Sequence, residues 1–383
     1  MTERILERQG PPHGDHRAPS GRRGSRRPSP RAIALGAAVA VLALLLAWWT
    51  EPGQDLQDRA GRGAALALEF LARSQRETGE FPTQAWSPAD PAPPQEVRTP
   101  FTASQALHAL TVVDGGDLGR RVRRRAVDYL LAHREPPGLW RYYGSDEAYY
   151  AEVYARFRHP KLPPDVDDTA QAWAALVASG HAVDPAALEA LGAARTPAGL
   201  FNTWIAPAED VSWMDARERE VDLVVNLNAL FLLARIGGGA PEICAHIDAA
   251  TRSRAFERGT IWYPSPLAYA YFLSRAYADG GARCLADAAA LVRAYVLTQQ
   301  RANGDWGEDL ATALGTVTLL NTGPVGPEVR RAVQALLSRQ AGDGGWRTGP
   351  LYRGAVFSYG SRPLTTAFGF EALGKFLART GPR

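Results

Sequence analysis

The sequence predicts an all-α protein, a single (α/α)6 toroid of about six helix pairs, preceded by one transmembrane helix. Three observations predict it. A Gly-x-aromatic landmark recurs, at Gly79-Glu80-Phe81, Gly138-Leu139-Trp140, Gly199-Leu200-Phe201, Gly304-Asp305-Trp306 and Gly344-Gly345-Trp346, and a looser copy, Gly259-Thr260-Ile261-Trp262, fills the gap in the series. Amphipathic helical periodicity precedes the landmarks, and a more uniformly apolar helical stretch follows each one. No alternating strand pattern of consequence is present.

The chain has 383 residues, is 46% hydrophobic and carries a formal net charge of +3, enough for one large domain with a substantial core. The near-neutral total hides an uneven layout. Residues 1–31 hold eight arginines and almost no apolar side chains, and are expected to form a disordered cytoplasmic tail. Residues 32–49 form an unbroken apolar run ending in Trp48 and Trp49, of a length suited to spanning a bilayer. Arginines precede the run, whereas Glu51, Asp55 and Asp58 follow it, so the positive-inside rule leaves the N-terminus in the cytoplasm and the remainder outside. The bulky Ala47-Trp48-Trp49-Thr50 is unlike a signal-peptidase site, which favours an uncleaved signal anchor over a cleaved leader. The expected localisation is therefore the cell membrane, single-pass, with residues 50–59 as a linker and 60–383 as an extracytoplasmic toroid.

Within the toroid, the outer helices are read from patterns such as Ala64-Leu66-Leu68-Phe70-Leu71, Val127-Tyr129-Leu130-Leu131 and Val329-Val333-Leu336-Leu337. The inner helices are read in order from Thr102-Ala103-Ser104-Gln105, Thr169-Ala170-Gln171-Ala172-Trp173, Val224-Val225-Asn226-Leu227-Asn228, Pro266-Leu267-Ala268-Tyr269, Leu310-Ala311-Thr312-Ala313 and Leu364-Thr365-Thr366-Ala367. Helices apolar around most of their circumference are buried, and six of them inside six amphipathic ones close a ring with no exposed terminal repeat. Cys244 and Cys284 are the only cysteines; two isolated thiols give neither a disulfide framework nor a zinc pattern, and each is expected to pack in a helix. Lysine occurs only at Lys161 and Lys375, which reads as codon bias rather than chemistry.

In three landmarks a glutamine stands four residues before the glycine: Gln75, Gln300 and Gln340. This resembles the Gln-Trp repeat of the squalene-hopene cyclase and oxidosqualene cyclase family, where the motif ties the end of an outer helix to its neighbour. The second inner helix opens with Pro163-Pro164-Asp165-Val166-Asp167-Asp168-Thr169-Ala170. Asp165, Asp167 and Asp168 are similar to the Asp-x-Asp-Asp motif of class II terpene cyclases, down to the Thr-Ala of squalene-hopene cyclases. The resemblance implies that Asp167 protonates a carbon–carbon double bond and starts a cationic ring closure of a polyprenyl lipid. Such an acid must be held protonated and desolvated. Crowded carboxylates cannot all ionise, and a helix N-terminus stabilises the anion left behind.

A plainer reading of the same residues is a helix cap with acids complementing the dipole. Further candidates for substrate contact at the same mouth are Asp222, Asn226, Trp262, Tyr263, Tyr352, Tyr359 and Arg362, alongside other aromatics at Tyr142, Tyr143, Tyr149, Tyr150, Trp204 and Trp213. His108 is read as a core histidine. No metal set, cofactor or nucleic-acid partner is expected; the expected partners are the membrane, an apolar isoprenoid lipid, and a second copy or another protein to complete the cavity. Class II cyclases usually build their cavity between two toroids, and this chain has one. Two other functions fit the fold: an extracytoplasmic glycan lyase or hydrolase, and a non-catalytic binding or scaffold toroid. A dry, aromatic cavity around Asp167 favours the cyclase, and an open polar one favours the glycan enzyme.

Overall fold

The structure, a computed structural model, describes residues 52–90, 92–157, 161–207, 210–212, 214, 221–354 and 356–381. The expected tail, the expected membrane span and Trp213 lie outside them. Among the described residues no helix is long and apolar enough to cross a membrane.

Among the described residues, thirteen α-helices follow one another. They are α1 (Pro52–Ser74), α2 (Pro100–Val112), α3 (Gly116–Ala132), α4 (Glu147–Phe157), α5 (Val166–Ala178), α6 (Pro185–Ala193) and α7 (Leu223–Arg235), then α8 (Pro241–Arg252), α9 (Pro266–Ala278), α10 (Ala286–Gln299), α11 (Asp309–Thr322), α12 (Pro327–Arg339) and α13 (Arg362–Thr380). Helices α2, α5, α7, α9, α11 and α13 each pack on the next, and α13 packs back on α2, so the inner ring closes. Their burial explains the sequence pattern: every residue from Pro100 to Leu110 of α2 is buried, whereas α3 on the outside buries only one stripe, including Val122, Ala126 and Leu130. The expected six pairs are all present. Helix α1 starts at Pro52 and buries Leu56 and Ala60 on one face, so most of the stretch expected as a linker belongs to the toroid.

The landmarks are the joints between outer and inner helices. All six landmark glycines, Gly79, Gly138, Gly199, Gly259, Gly304 and Gly344, have positive φ. At Gly79 and Gly344 a Cβ would also collide with a backbone carbonyl of the neighbouring outer helix, that of Arg125 or Leu66. The glutamine four residues earlier spans the same joint. Gln75 Nε2 donates to the carbonyls of Gly79 (3.0 Å) and Val122 (3.0 Å), Gln300 Nε2 to Gly304 (3.0 Å) and Glu328 (2.9 Å), and Gln340 Nε2 to Gly344 (2.8 Å) and Gly63 (2.9 Å). Each amide thus satisfies a carbonyl of the turn and one on the next outer helix. The indoles of Trp140, Trp306 and Trp346 donate to the carbonyl ten residues upstream, each at 2.9 Å. A threonine of the following inner helix, Thr169, Thr312 or Thr366, accepts from the backbone N–H of each of these tryptophans. Thr169 therefore belongs to the repeat and carries no chemistry of its own.

Three features depart from the expectation. Strands β1 (Thr83–Trp86), β2 (Gln95–Val97), β3 (Tyr352–Arg353) and β4 (Ser358–Gly360) form a small antiparallel sheet in the order β2-β1-β4-β3, joining the first landmark loop to the last. Strands this short carry too few residues for alternation to register. Helix α4 is an insertion between the second landmark and α5, burying Tyr149 and Tyr150. Finally, Cys244 of α8 and Cys284, in a 3₁₀ turn before α10, form a disulfide with Cα atoms 5.9 Å apart. The 40 residues between them lead from the start of one outer helix to the turn that enters the next, and the bond ties those two points together. Reduction is expected to cost about 2–4 kcal/mol, seen as a lower thermal midpoint in dithiothreitol that Cys244→Ser reproduces without reductant. A midpoint unaffected by either would show that the bond contributes nothing.

Candidate active site

The inner helices begin at one mouth of the ring, and the loops leading into them surround a cavity of about 720 Å3, counting its opening. Its wall is aromatic. Phe101, Tyr142, Tyr143, Trp204, Trp262, Tyr263, Tyr352 and Tyr359 line it, together with Leu162 and Met214. The small sheet places two of them, since Tyr352 and Tyr359 face each other in register and stack with ring centres 5.3 Å apart. Their hydroxyls bond to those of Tyr142 (2.9 Å) and Tyr143 (3.2 Å), fixing a tyrosine panel on one side. Trp204 and Trp262 meet edge to face on another, and the Trp262 indole N–H donates to Thr203 Oγ1 at 3.1 Å.

Asp165, Asp167 and Asp168 form the polar part of this wall, and all three are buried. Asp165 is the cap: its carboxylate accepts from the Asp168 N–H at 2.7 Å. Burial raises the Asp165 and Asp168 carboxyls above their ordinary range, and the charge of Asp167 raises both further. Asp167 differs in its donors. Oδ1 accepts from Asn228 Nδ2 (2.6 Å) and Gln171 Nε2 (3.2 Å), and Oδ2 accepts from the Tyr263 hydroxyl (2.5 Å). Burial pushes Asp167 up to about 6, while the bonds from Tyr263 and Asn228 hold it from rising further. It is the carboxyl of the trio whose anion is best supported. The chemical capability is that of a buried Brønsted acid facing an aromatic cavity.

Of the other predicted residues, Trp262, Tyr263, Tyr352 and Tyr359 line the cavity. Asp222, Asn226 and Arg362 do not. Asp222 caps α7, accepting from Val224 N and Val225 N, and its second oxygen accepts from Ile261 N (2.7 Å) and Trp262 N (3.2 Å). Asn226 accepts from the Phe201 N–H, as the threonines do from the tryptophans in three other repeats, and donates back to the Phe201 carbonyl. Arg362 pairs with Asp343 and lies over the Phe70 ring on the outside. In each case a polar group expected to face a ligand satisfies backbone or a surface partner instead.

The polar floor beneath the acids was legible only in fragments. Asn228 signalled itself as a polar residue in an apolar helix. Gln105, Gln171 and Arg275 did not, since an arginine near the end of a helix ordinarily reads as a solvated dipole partner. Here Arg275 is 1% exposed. Deeper still, Lys375 donates to Asp279 (2.6 Å) and Asn321 (2.7 Å) and lies 3.1 Å from Glu371, with His108 3.4 Å from Asp279. Burial opposes ionisation of Asp279 and Glu371, but Lys375 and His108 outweigh it and hold both carboxyls below their ordinary range. His108, Asp279 and Glu371 have ligand atoms within 4.8 Å of one another, the spacing of a metal site. The Lys375 ammonium already supplies the cation there. One of the two lysines first read as codon bias is thus the counter-ion of the ring interior.

No family model and no curated protein matches the sequence. Solved structures do. A variant of the type II terpene cyclase MstE from Scytonema, in complex with its product merosterolic acid A, superposes with a TM-score of 0.63 at 16% identity, covering 85% of this chain and 99% of that one. A protein from Actinoplanes gives 0.64 at 17% identity over 82% and 99%. An unsaturated glucuronyl hydrolase specific for heparin gives 0.50 at 12% identity over 85% and 97%. At such identities the likeness speaks to architecture. The chain has the terpenoid cyclase-like α/α toroid fold.

Proposed function

We propose that this protein is a class II terpene cyclase-like enzyme in which Asp167 starts the cyclisation of a polyprenyl lipid. The observation that carries the reading is Asp167 itself, a buried acid with three donors on its carboxyl, set in a cavity walled by aromatic rings. The step balances as an isomerisation. The Asp167 proton forms a C–H bond with the π electrons of a terminal alkene, the next alkene closes a C–C bond on the cation, and loss of a proton ends the cascade. Ring faces such as those of Tyr352 and Trp262 stabilise passing cations, and a water-poor wall delays quenching. The single toroid spans nearly all of the MstE chain, which supports a cavity completed without a second toroid. Aromatic rings stack on sugars as well; it is the burial of all three carboxylates that favours the cyclase over a glycan enzyme, whose substrate calls for an open, polar cleft.

The proposal extends to place. Residues 32–49 anchor the chain in the membrane with the toroid outside, and the Cys244–Cys284 disulfide suits an oxidising compartment. A bilayer-dissolved substrate matches that location. The test is the full chain in detergent, incubated with a panel of acyclic polyprenes and prenylated phenols and analysed by mass and retention. A product of unchanged mass and altered retention is expected; its absence across the panel would sink the reading.

A further inference from the structure

Arg275 is a cation sealed inside the ring with no carboxylate in ion-pair contact among the described residues. Its Nη1 donates to Gln105 Oε1 (2.9 Å), and its Nη2 to Asn228 Oδ1 (2.6 Å) and Gln171 Oε1 (3.3 Å). The rings of Phe231 and Phe272 pack on its guanidinium at 4.6 and 4.7 Å. Burying a charge this way is costly, and amide oxygens with ring faces compensate it less well than a carboxylate. The arrangement has a directional result. An Asn or Gln side chain can present either its oxygen or its NH2 to a neighbour, and a guanidinium only donates. Arg275 therefore takes the amide oxygens of Asn228 and Gln171 and leaves both NH2 groups facing Asp167 Oδ1. The Gln105 NH2 in turn donates to Gln171 Oε1, completing a layer drawn from α2, α5, α7 and α9.

We infer that Arg275 is a positioning residue for the acid: it sets the orientation of the Asn228 and Gln171 amides so that they support the Asp167 anion as its proton leaves. This rests on the reading of Asp167 as proton donor. The layer strengthens the acid without touching the substrate. The charged and titratable groups facing Asp167 are Asp165 and Asp168 on its own helix, Asp222 at the start of α7, Tyr263 in the loop before α9, Tyr352 and Arg353 of β3 across the cavity, and Arg275 itself. Arg275 is the one of these that acts through both amides.

The test is a titration that does not depend on turnover. In carboxyl-13C-aspartate protein, the Asp167 carbon is the resonance missing from Asp167→Asn. Arg275→Gln offers an oxygen as well as an NH2, so the amides can turn over and Asp167 loses its donors; its titration is expected to move up by roughly one to two pH units. Arg275→Lys, still a pure donor, is expected to move it less than half as far, and so is Arg275→Met, which removes the charge that itself lowers Asp167 but offers the amides no acceptor. Should Arg275→Gln fail to fold, Asn228→Leu removes one of the amide donors to Asp167 without adding a charge, and is expected to move the titration in the same direction. A titration unmoved in the folded variants, or moved equally by Gln and Lys, would overturn the assignment. Where the parent cyclises a polyprene, the alkaline limb of its pH–rate profile should follow the same shifts. A shift in titration with no turnover of any polyprene would leave Arg275 in place and remove the cyclase reading instead.

Discussion

Replacing Asp167 with asparagine is expected to abolish product formation while raising the stability of the protein at alkaline pH. The substitution is close to isosteric. The new amide oxygen can accept from Asn228 and Gln171, and its NH2 can donate to the Tyr263 hydroxyl, which reverses as acceptor. The carboxyl proton is gone, so turnover should fall by about a thousandfold or more. The stability gain follows from linkage. Asp167 binds its proton more tightly in the folded state, at about 6, than in the unfolded chain, at 3.8. The folded state is therefore favoured most below pH 4 and loses that advantage as pH rises through about 6. A two-unit gap corresponds to about 3 kcal/mol, an upper bound for a group crowded by Asp165 and Asp168. Thermal melts at pH 8 should place the variant above the parent, with the difference vanishing near pH 4. Parental turnover should fall over the same rise through pH 6, because the acid must be protonated to act. A variant less stable than the parent at pH 8 would show that Asp167 is held as a structural anion.

The second large effect is expected at the seam. Trp346 is fully buried, its indole N–H bonded to the Leu336 carbonyl at 2.9 Å, and Gly369 of α13 lies so close that a Cβ there would press on its ring. Trp346→Ala opens a void between α12 and α13 and leaves the Leu336 carbonyl unpaired. The expected cost is about 3–5 kcal/mol, a large share of the roughly 5–15 kcal/mol that holds a domain folded. Urea unfolding measures it directly; a loss below about 1 kcal/mol, the scale of an ordinary surface change, would contradict the role of the indole as seam filler. Tyr352 and Tyr359 follow in the same segment, so substrate affinity should weaken along with stability.

The architecture was legible because every repeat spells out the same joint. The glycine, the ring and the glutamine are local solutions to ending one helix and starting another, and such solutions leave a pattern in sequence. The acidic cluster was legible for the same reason, as a dense motif at a helix start. What sequence could not show was which polar groups face inward. Asp222 and Asn226 looked like ligands because they interrupt an apolar helix, yet each is used up by backbone amides of a neighbouring loop. Arg275 was not singled out, because only the closure of four helices around it makes it interior. The disulfide was missed because pairing depends on α8 standing beside the turn that leads into α10, a relation that exists only once the repeats have packed.

That closure also governs how the protein is made. Helix α1 packs on α12 and α13, Gln57 donates to the Thr380 carbonyl at 2.5 Å across 323 residues of sequence, and β1 pairs with β4. The first outer helix therefore waits, its apolar face uncovered, until the last helix has left the ribosome. Contacts this distant make assembly slow and leave sticky intermediates on the way. For a domain synthesised from its N-terminus, ring closure is a late event, and the nascent chain spends nearly its whole synthesis as an open arc.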